Sequence, residues 1–217
     1  MKSIVFDLDG TLLYTLEDIN DAINFALYSF NQRPNSLDET KSYVGDGAKE
    51  LILRSMYHKY DVRMFLKNTL FDQIYEAYMD KYLELRMNKT RPYDGIIELL
   101  NSLKEKGYKL GVLSNKPDRD TKDMINHYFP DMFDVVLGAR ENVALKPDAK
   151  PLLDIIDMLD SKKEDTIYVG DSLVDIYTCI NANVKCISAS YGYCSKDILS
   201  LRNDIIVDKP LDILEVI

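Results

Sequence analysis

The chain has 217 residues, of which 46% are hydrophobic and 29% charged, and its formal net charge is −9. Against a loose expectation of ~150 residues per domain, that is enough for one domain with a large insertion or for two small domains, each with a core of its own. The acidic balance argues against nonspecific binding to nucleic acid or to an anionic membrane surface, which both need basic patches, but leaves room for an anionic small molecule at a local site.

Three cysteines, Cys179, Cys186 and Cys194, are odd in number and lack metal-like spacing, which points to reduced thiols. No secretory apolar region precedes the first acid, and no run is long enough to cross a membrane, so a cytoplasmic protein is expected.

In chain order, Ser3 to Phe6 reads as a buried strand of a parallel sheet, ending abruptly in Asp7-Leu8-Asp9-Gly10-Thr11. If the backbone stayed extended, Asp7 and Asp9 would share one side of it. Thr15 with Asp18 three residues on resembles a helix start, followed by Ile19, Ile23 and Leu27 on one face and about five turns of helix. Pro34 to Ser36 is expected to break that helix, with a polar link leading to Tyr43-Val44-Gly45-Asp46-Gly47. Helical spacing resumes at Leu51, and Leu70, Phe71, Ile74, Tyr75, Tyr78, Tyr82 and Leu85 form a further stripe of period near 3.6. No strand is expected between Thr15 and Asn88.

The pattern changes at Arg91-Pro92-Tyr93-Asp94-Gly95. Strand-like runs at Lys109–Leu113, Asp134–Leu137, Thr166–Val169 and Val184–Ser188 then alternate with helical stretches near 94–107, 118–129, 148–161 and 172–183. A last short strand and a closing helix follow Ile205. The expected fold is α/β, a Rossmann-like parallel sheet with helices on both faces and a helical insertion after the first strand.

Four motifs carry chemistry, each at a strand end or loop of the sheet, and strand ends are where open α/β sheets bind ligands. Asp7-x-Asp9-Gly10-Thr11 invites a metal ion or acid/base work, with a hydrogen-bonded turn as the bland alternative. It is no calcium loop: the glycine comes two positions early and a strand precedes it. Ser114-Asn115-Lys116-Pro117 leads into a helix start near Asp118 and offers an anion cradle or an ordinary cap. Lys146 could neutralise a phosphate or carboxylate, or be a solvated charge. Gly170-Asp171-Ser172-Leu173-Val174-Asp175 places two acids one helical turn apart, facing one site or capping a helix. Its Gly-Asp-Ser-Leu letters also suggest a serine esterase, but the required base is missing, since His58 and His127 lie far upstream in helical stripes.

These pieces, in this order, resemble the haloacid dehalogenase superfamily of phosphotransferases, with a core over 1–13 and 90–217 and a helical cap over 14–89. Tyr43-Val44-Gly45-Asp46-Gly47, Tyr93-Asp94-Gly95 and Val112-Leu113-Ser114-Asn115-Lys116-Pro117 look most like its phosphoglycolate phosphatase branch.

The resemblance implies that Asp7 attacks the phosphoryl group and becomes an aspartyl-phosphate. Asp9 would protonate the leaving alkoxide and then activate water. A carboxylate about 4 Å from a phosphate dianion meets roughly 8 kcal/mol of repulsion at an effective dielectric near 20, so counter-charge is needed. By the same resemblance, Mg²⁺ held by Asp7, the Asp9 carbonyl and Asp171, with Asp175 orienting a ligand, would supply it together with Lys146. Thr11, Ser114 and Asn115 would hold phosphoryl oxygens.

Retention of Asp9 fits phosphatases and mutases, since dehalogenases of the family lack that acid. Tyr14-Thr15 departs from the Asp-Ser common in relatives. In the cap, Gly45, Asp46, Gly47, Lys49 and Arg54 are candidate substrate residues, although Glu50 and Arg54 are spaced i, i+4 and are the more natural surface pair.

The expected function is therefore Mg²⁺-dependent hydrolysis of a small phosphate ester, with phosphoglycolate the leading candidate. The alternatives are a pyrophosphatase or 5′-nucleotidase, a sugar phosphomutase, and a non-catalytic phosphate-binding module.

Overall fold

The structure, a computed structural model, describes residues 2–58 and 69–217. In chain order its elements are β1 (Ser3–Phe6), β2 (Leu13–Tyr14), α1 (Leu16–Ser29), α2 (Leu37–Tyr43), α3 (Ala48–Tyr57), α4 (Thr69–Leu85), β3 (Arg91–Pro92), α5 (Ile96–Glu105), β4 (Lys109–Pro117), α6 (Asp118–Tyr128), β5 (Val135–Ala139), α7 (Lys150–Met158), β6 (Thr166–Gly170), α8 (Leu173–Ala182), β7 (Lys185–Ala189), α9 (Lys196–Ser200), β8 (Ile206–Val207) and α10 (Ile213–Val216). They divide into an α/β unit, Met1–Tyr14 with Pro92–Ile217, and a helical unit, Thr15–Arg91.

The α/β unit is built on a six-stranded sheet of order β5-β4-β1-β6-β7-β8. All its pairings are parallel. β1 is fully buried and central, which is why it reads as a continuous apolar run rather than an alternating one. On one face, α7 and α8 pack Leu152, Ile155, Ile156, Cys179 and Ala182 against Val5, Leu113 and Tyr168. Elsewhere α5 buries Ile96, Leu99, Leu100 and Leu103, while Phe133 meets Phe6 edge-on at 6.3 Å.

The register aligns the strand ends. Phe6 lies opposite Val112 on β4 and Val169 on β6, so the residues just past those positions emerge together at one edge of the sheet. β4 is longer than expected, running past Leu113 through Ser114-Asn115-Lys116 to Pro117, with its register against β5 shifting between Leu113 and Pro117. The Ser114-Asn115-Lys116-Pro117 motif thus sits in extended chain.

The helical unit buries Ile19, Ala22, Ile23, Ala26 and Leu27 of α1 against Leu51, Ile52, Phe71, Ile74, Tyr78 and Tyr82, the stripes the sequence periodicity marks. Four details differ from the sequence reading. α1 stops at Ser29, because Asn31 adopts a left-handed conformation (φ 56°) and Gln32 N–H returns to Leu27 O, so the break comes before Pro34. The supposed polar link contains α2, opened by a capping box in which Ser36 Oγ accepts from Glu39 N–H and the Glu39 carboxylate accepts from Ser36 N–H.

Thr15 stands at the α1 N-cap without a side-chain cap bond. Its neighbour Asp18 serves another purpose, accepting from Lys89 N–H at 3.0 Å and from Thr90 N–H and Oγ1 at 2.9 and 2.8 Å. Finally, Arg54 is fixed by Tyr43 O at 3.0 Å and by Asp46 at 2.7 Å, not by the expected pairing with Glu50. The all-helical expectation at positions 59–68 lies outside the described residues. Among those residues no helix is long and apolar enough to cross a membrane.

Candidate active site

The backbone leaves β1 abruptly after Asp7. Asp7 N–H still bonds to Val169 O at 2.9 Å, but Leu8 O then accepts from the amides of Leu12 and Leu13, both at 3.0 Å, closing a tight loop. Gly10 makes this possible twice over. Its φ of 84° is one that side-chain-bearing residues avoid, and a Cβ there would lie 2.3 Å from an Asp171 carboxylate oxygen. Asp7 and Asp9 therefore do not share one side of an extended strand; the turn sends them to different partners.

Asp7 is buried, and its Oδ1 is gripped by Leu8 N–H at 2.7 Å and by Lys146 Nζ at 2.9 Å. The Asp9 carboxylate is held through both oxygens by Lys116 Nζ, at 2.8 and 2.9 Å. Lys116 stood in the sequence motif, yet nothing local pointed to its partner, 107 positions away.

Lys146 is the hub of the buried charge. Its Nζ also donates to Asp175 Oδ1 at 2.7 Å and to Tyr168 Oη at 3.0 Å. Its main chain is clamped by Asn115, whose Oδ1 accepts from Lys146 N–H and whose Nδ2 donates to Lys146 O, each at 2.9 Å. The Asn115 side chain therefore positions the lysine. Ser114 is buried beside it, its Oγ accepting from Lys116 N–H at 3.2 Å. The first turn of α6 carries its own acids, Asp118 and Asp120, which complement its dipole.

At the end of β6, Asp171 accepts from Thr11 Oγ1 at 2.9 Å and from Tyr193 N–H at 2.7 Å. Thr11 is fully buried, and its hydroxyl is committed to this carboxylate. Asp175 is the best satisfied of the acids. Oδ2 accepts from Ser172 N–H and Oγ in a capping box, and Oδ1 accepts from Tyr168 Oη at 2.9 Å as well as from Lys146. The cap reading of Asp175 is realised, and its other oxygen faces Lys146. Ser172, the supposed esterase nucleophile, is occupied by that capping box, and His127 lies exposed on α6.

Asp7, Asp171 and Asp175 bring carboxylate oxygens within 4.8 Å of one another. Lys146 alone does not balance three acids. Burial pushes the Asp7 carboxyl up to about 7, against the pull of Lys146 and with the help of Asp175 and Asp9. Burial, then the charges of Asp175 and Asp7, push Asp171 well above the usual range. Burial opposes the charge on Lys146, but Asp175 and Asp7 outweigh it and raise its pKa. A compact set of oxygen-only donors with excess negative charge fits a hard divalent cation such as Mg²⁺, with Asp7 and Asp171 the donors least satisfied by protein.

The cap candidates lie in the helical unit. Gly45 (φ 123°) and Gly47 (φ 93°) flank Asp46, and Gly47 opens α3. Lys49 is exposed, whereas Arg54 is buried by its bonds to Tyr43 O and Asp46.

The model of the haloacid dehalogenase-like hydrolase family matches residues 4–189. A phosphoglycolate phosphatase of Psychrobacter arcticus is 32% identical over 193 residues, covering 88% of this chain and 84% of the relative. One from Haemophilus influenzae (strain Rd) is 35% identical over 196 residues, covering 88% and 87%. Among solved structures, a protein of Lactobacillus delbrueckii subsp. bulgaricus superposes with a TM-score of 0.94 at 26% identity, covering 100% of this chain and 98% of that one.

Proposed function

We propose, from the premise that the chain belongs to the haloacid dehalogenase-like hydrolase family and is a phosphatase of the phosphoglycolate phosphatase-like kind, that it hydrolyses a small phosphate monoester through an aspartyl-phosphate on Asp7, using Mg²⁺. Phosphoglycolate is the leading substrate. We take residues 1–13 and 90–217 as the catalytic core and 14–89 as an inserted cap, acting in the cytoplasm with its cysteines as free thiols.

The observation that carries this reading is a buried carboxylate at the end of the central strand, ion-paired to Lys146 at 2.9 Å within a cluster of three acids. Both donors to Asp7 grip Oδ1, which leaves Oδ2 as the oxygen for attack on phosphorus. Asp9 gives its proton to the departing alkoxide. In the second half-reaction it takes a proton from the water that attacks the aspartyl-phosphate, releasing inorganic phosphate.

Asp7, Asp171 and the Asp9 carbonyl would hold Mg²⁺, whose positive charge would offset the repulsion between carboxylate and phosphate. Lys146 adds a fixed positive charge, kept in place by Asp175, Tyr168 and Asn115. The Ser114 hydroxyl and the Asn115 amide hold phosphoryl oxygens. Lys116 orients Asp9 by its two-oxygen grip. Asp175, with four donors already on it, contributes by holding Lys146 and the start of α8.

The test is a comparison of kcat/KM for phosphoglycolate, pyrophosphate, a nucleoside monophosphate and a sugar phosphate with Mg²⁺ present. Preference for phosphoglycolate supports the substrate assignment, and preference for another ester replaces it. No hydrolysis of any of them would overturn the reading in favour of a phosphate-binding module.

A further inference from the structure

Tyr14 ends β2, on the loop that follows Asp7. Within the α/β unit it is the middle of a ring contact series. Its ring meets Tyr93 edge-on at 6.1 Å and Tyr193 at 6.2 Å, and Tyr93 meets Tyr191 at 5.1 Å. The four rings are half-buried. They come from three places in the sequence: the end of the loop that follows Asp7, the return strand β3 with its next residue, and the segment after β7.

What the rings flank is a metal-site carboxylate. Asp171 is held from two sides, by Thr11 Oγ1 on the loop after β1 and by Tyr193 N–H on the segment after β7. Those segments are joined to each other by Tyr191 Oη, which donates to Thr11 O at 3.2 Å. Between the two tyrosines lies Gly192, where a Cβ would stand 2.3 Å from Asp171 Cβ and 2.4 Å from Gly10 O. Tyr191-Gly192-Tyr193 thus works as a clip, with the glycine pressed against Asp171 and a ring on each side anchoring it. The burial of the Tyr191 phenol, and the Asp171 charge near it, push its pKa up.

We infer that Tyr14 is a positioning residue for the metal site: by its edge-to-face contacts with Tyr193 and Tyr93 it fixes the Tyr191-Gly192-Tyr193 clip that holds Asp171 in place for Mg²⁺. An acid at position 14 would put a charge where an edge-to-face ring contact now stabilises the clip. Removal of the ring frees the clip, so Asp171 keeps its chemistry but loses its fixed placement, a loss of the kind that weakens metal binding without changing a ligand.

This inference rests on the Mg²⁺ assignment above, and its test separates the two. Thermal unfolding is followed as MgCl₂ is titrated into wild type, Tyr14→Ala, Tyr14→Phe and Tyr191→Phe, without substrate. The Mg²⁺ concentration giving half of the maximal stabilisation is expected to rise about tenfold in Tyr14→Ala. Tyr14→Phe, which keeps the ring, should restore the wild-type midpoint. Tyr191→Phe loses the bond to Thr11 O and should raise the midpoint by a smaller factor; if Tyr14→Ala does not fold, this variant decides alone.

A merely structural role for Tyr14 would lower Tm equally at every Mg²⁺ concentration and leave the midpoint unmoved, which would overturn the inference. Absence of any Mg²⁺ stabilisation in wild type would overturn the metal assignment itself, and the inference with it.

Discussion

The two units bury charge in opposite ways. In the helical unit, buried Asp18 is surrounded by donors, two backbone amides and a threonine hydroxyl. Buried Arg54 is likewise met by an aspartate and a carbonyl. These groups are satisfied by the protein, and their work is to hold chain segments together. In the α/β unit, Asp7, Asp171 and Asp175 are buried around a single lysine, and two of them are pushed upward in pKa. A satisfied buried charge holds chain segments together; a buried cluster of acids with raised pKa values marks a candidate site for a cation.

The contrast predicts opposite responses to mutation. Asp7→Asn is expected to lower kcat/KM by at least ~10³-fold, since it removes the proposed nucleophile. It also relieves crowding among carboxylates, so the Tm of the metal-free protein should not fall. A variant that keeps activity, or that unfolds, breaks the contrast. Asp18→Ala should do the reverse. It strands the part-buried amide of Lys89 and the buried amide and hydroxyl of Thr90 and is expected to cost about 2–4 kcal/mol in denaturant unfolding, with per-molecule activity of the folded fraction retained.

The pH dependence sharpens the same point. The folded carboxyl of Asp7 titrates near 7, against an ordinary value of 3.8, so the folded state binds more protons than the unfolded one between these values. Stability of the metal-free protein is therefore expected to fall as pH rises from about 4 to about 7. Mg²⁺ favours the ionised carboxylates, so the Tm increase on adding it should be larger at pH 8 than at pH 5, a difference readable by thermal unfolding with and without chelator.

The smallest effect belongs to the helical unit. Ser36→Ala removes the α2 capping box at a cost of about 1 kcal/mol and should leave Mg²⁺ binding unchanged. The amide of Ser36, followed by Arg33, holds the Glu39 carboxyl down to about 2. Its stabilising contribution is accordingly present above pH 4.5 and lost as pH falls toward 2.

The sequence made the strand-end acids visible because each followed an apolar run, and their order along the chain assigned them to one sheet. Lys146 gained weight only in that company. What the sequence concealed were pairings set by register between distant strand ends. Lys116 with Asp9 and Asn115 with Lys146 depend on how β4 extends past Leu113, and no local spacing encodes that.

Tyr168 read simply as a strand residue; its hydroxyl reaches Asp175 because β6 runs beneath the start of α8. In the helical unit the Ser36-x-x-Glu39 signal was present and outweighed by the polarity around it. Arg54 was drawn to Glu50 by helical spacing, whereas the turn through Gly45 and Gly47 brings Asp46 back to it.

The most direct test of the central claim is to quench the enzyme with acid during turnover of phosphoglycolate with Mg²⁺ and to locate the phosphoryl group by peptide mass spectrometry. It is expected on Asp7 in wild type and absent from Asp7→Asn. Turnover with no phosphoryl group on Asp7, or with it on another residue, would contradict the assignment.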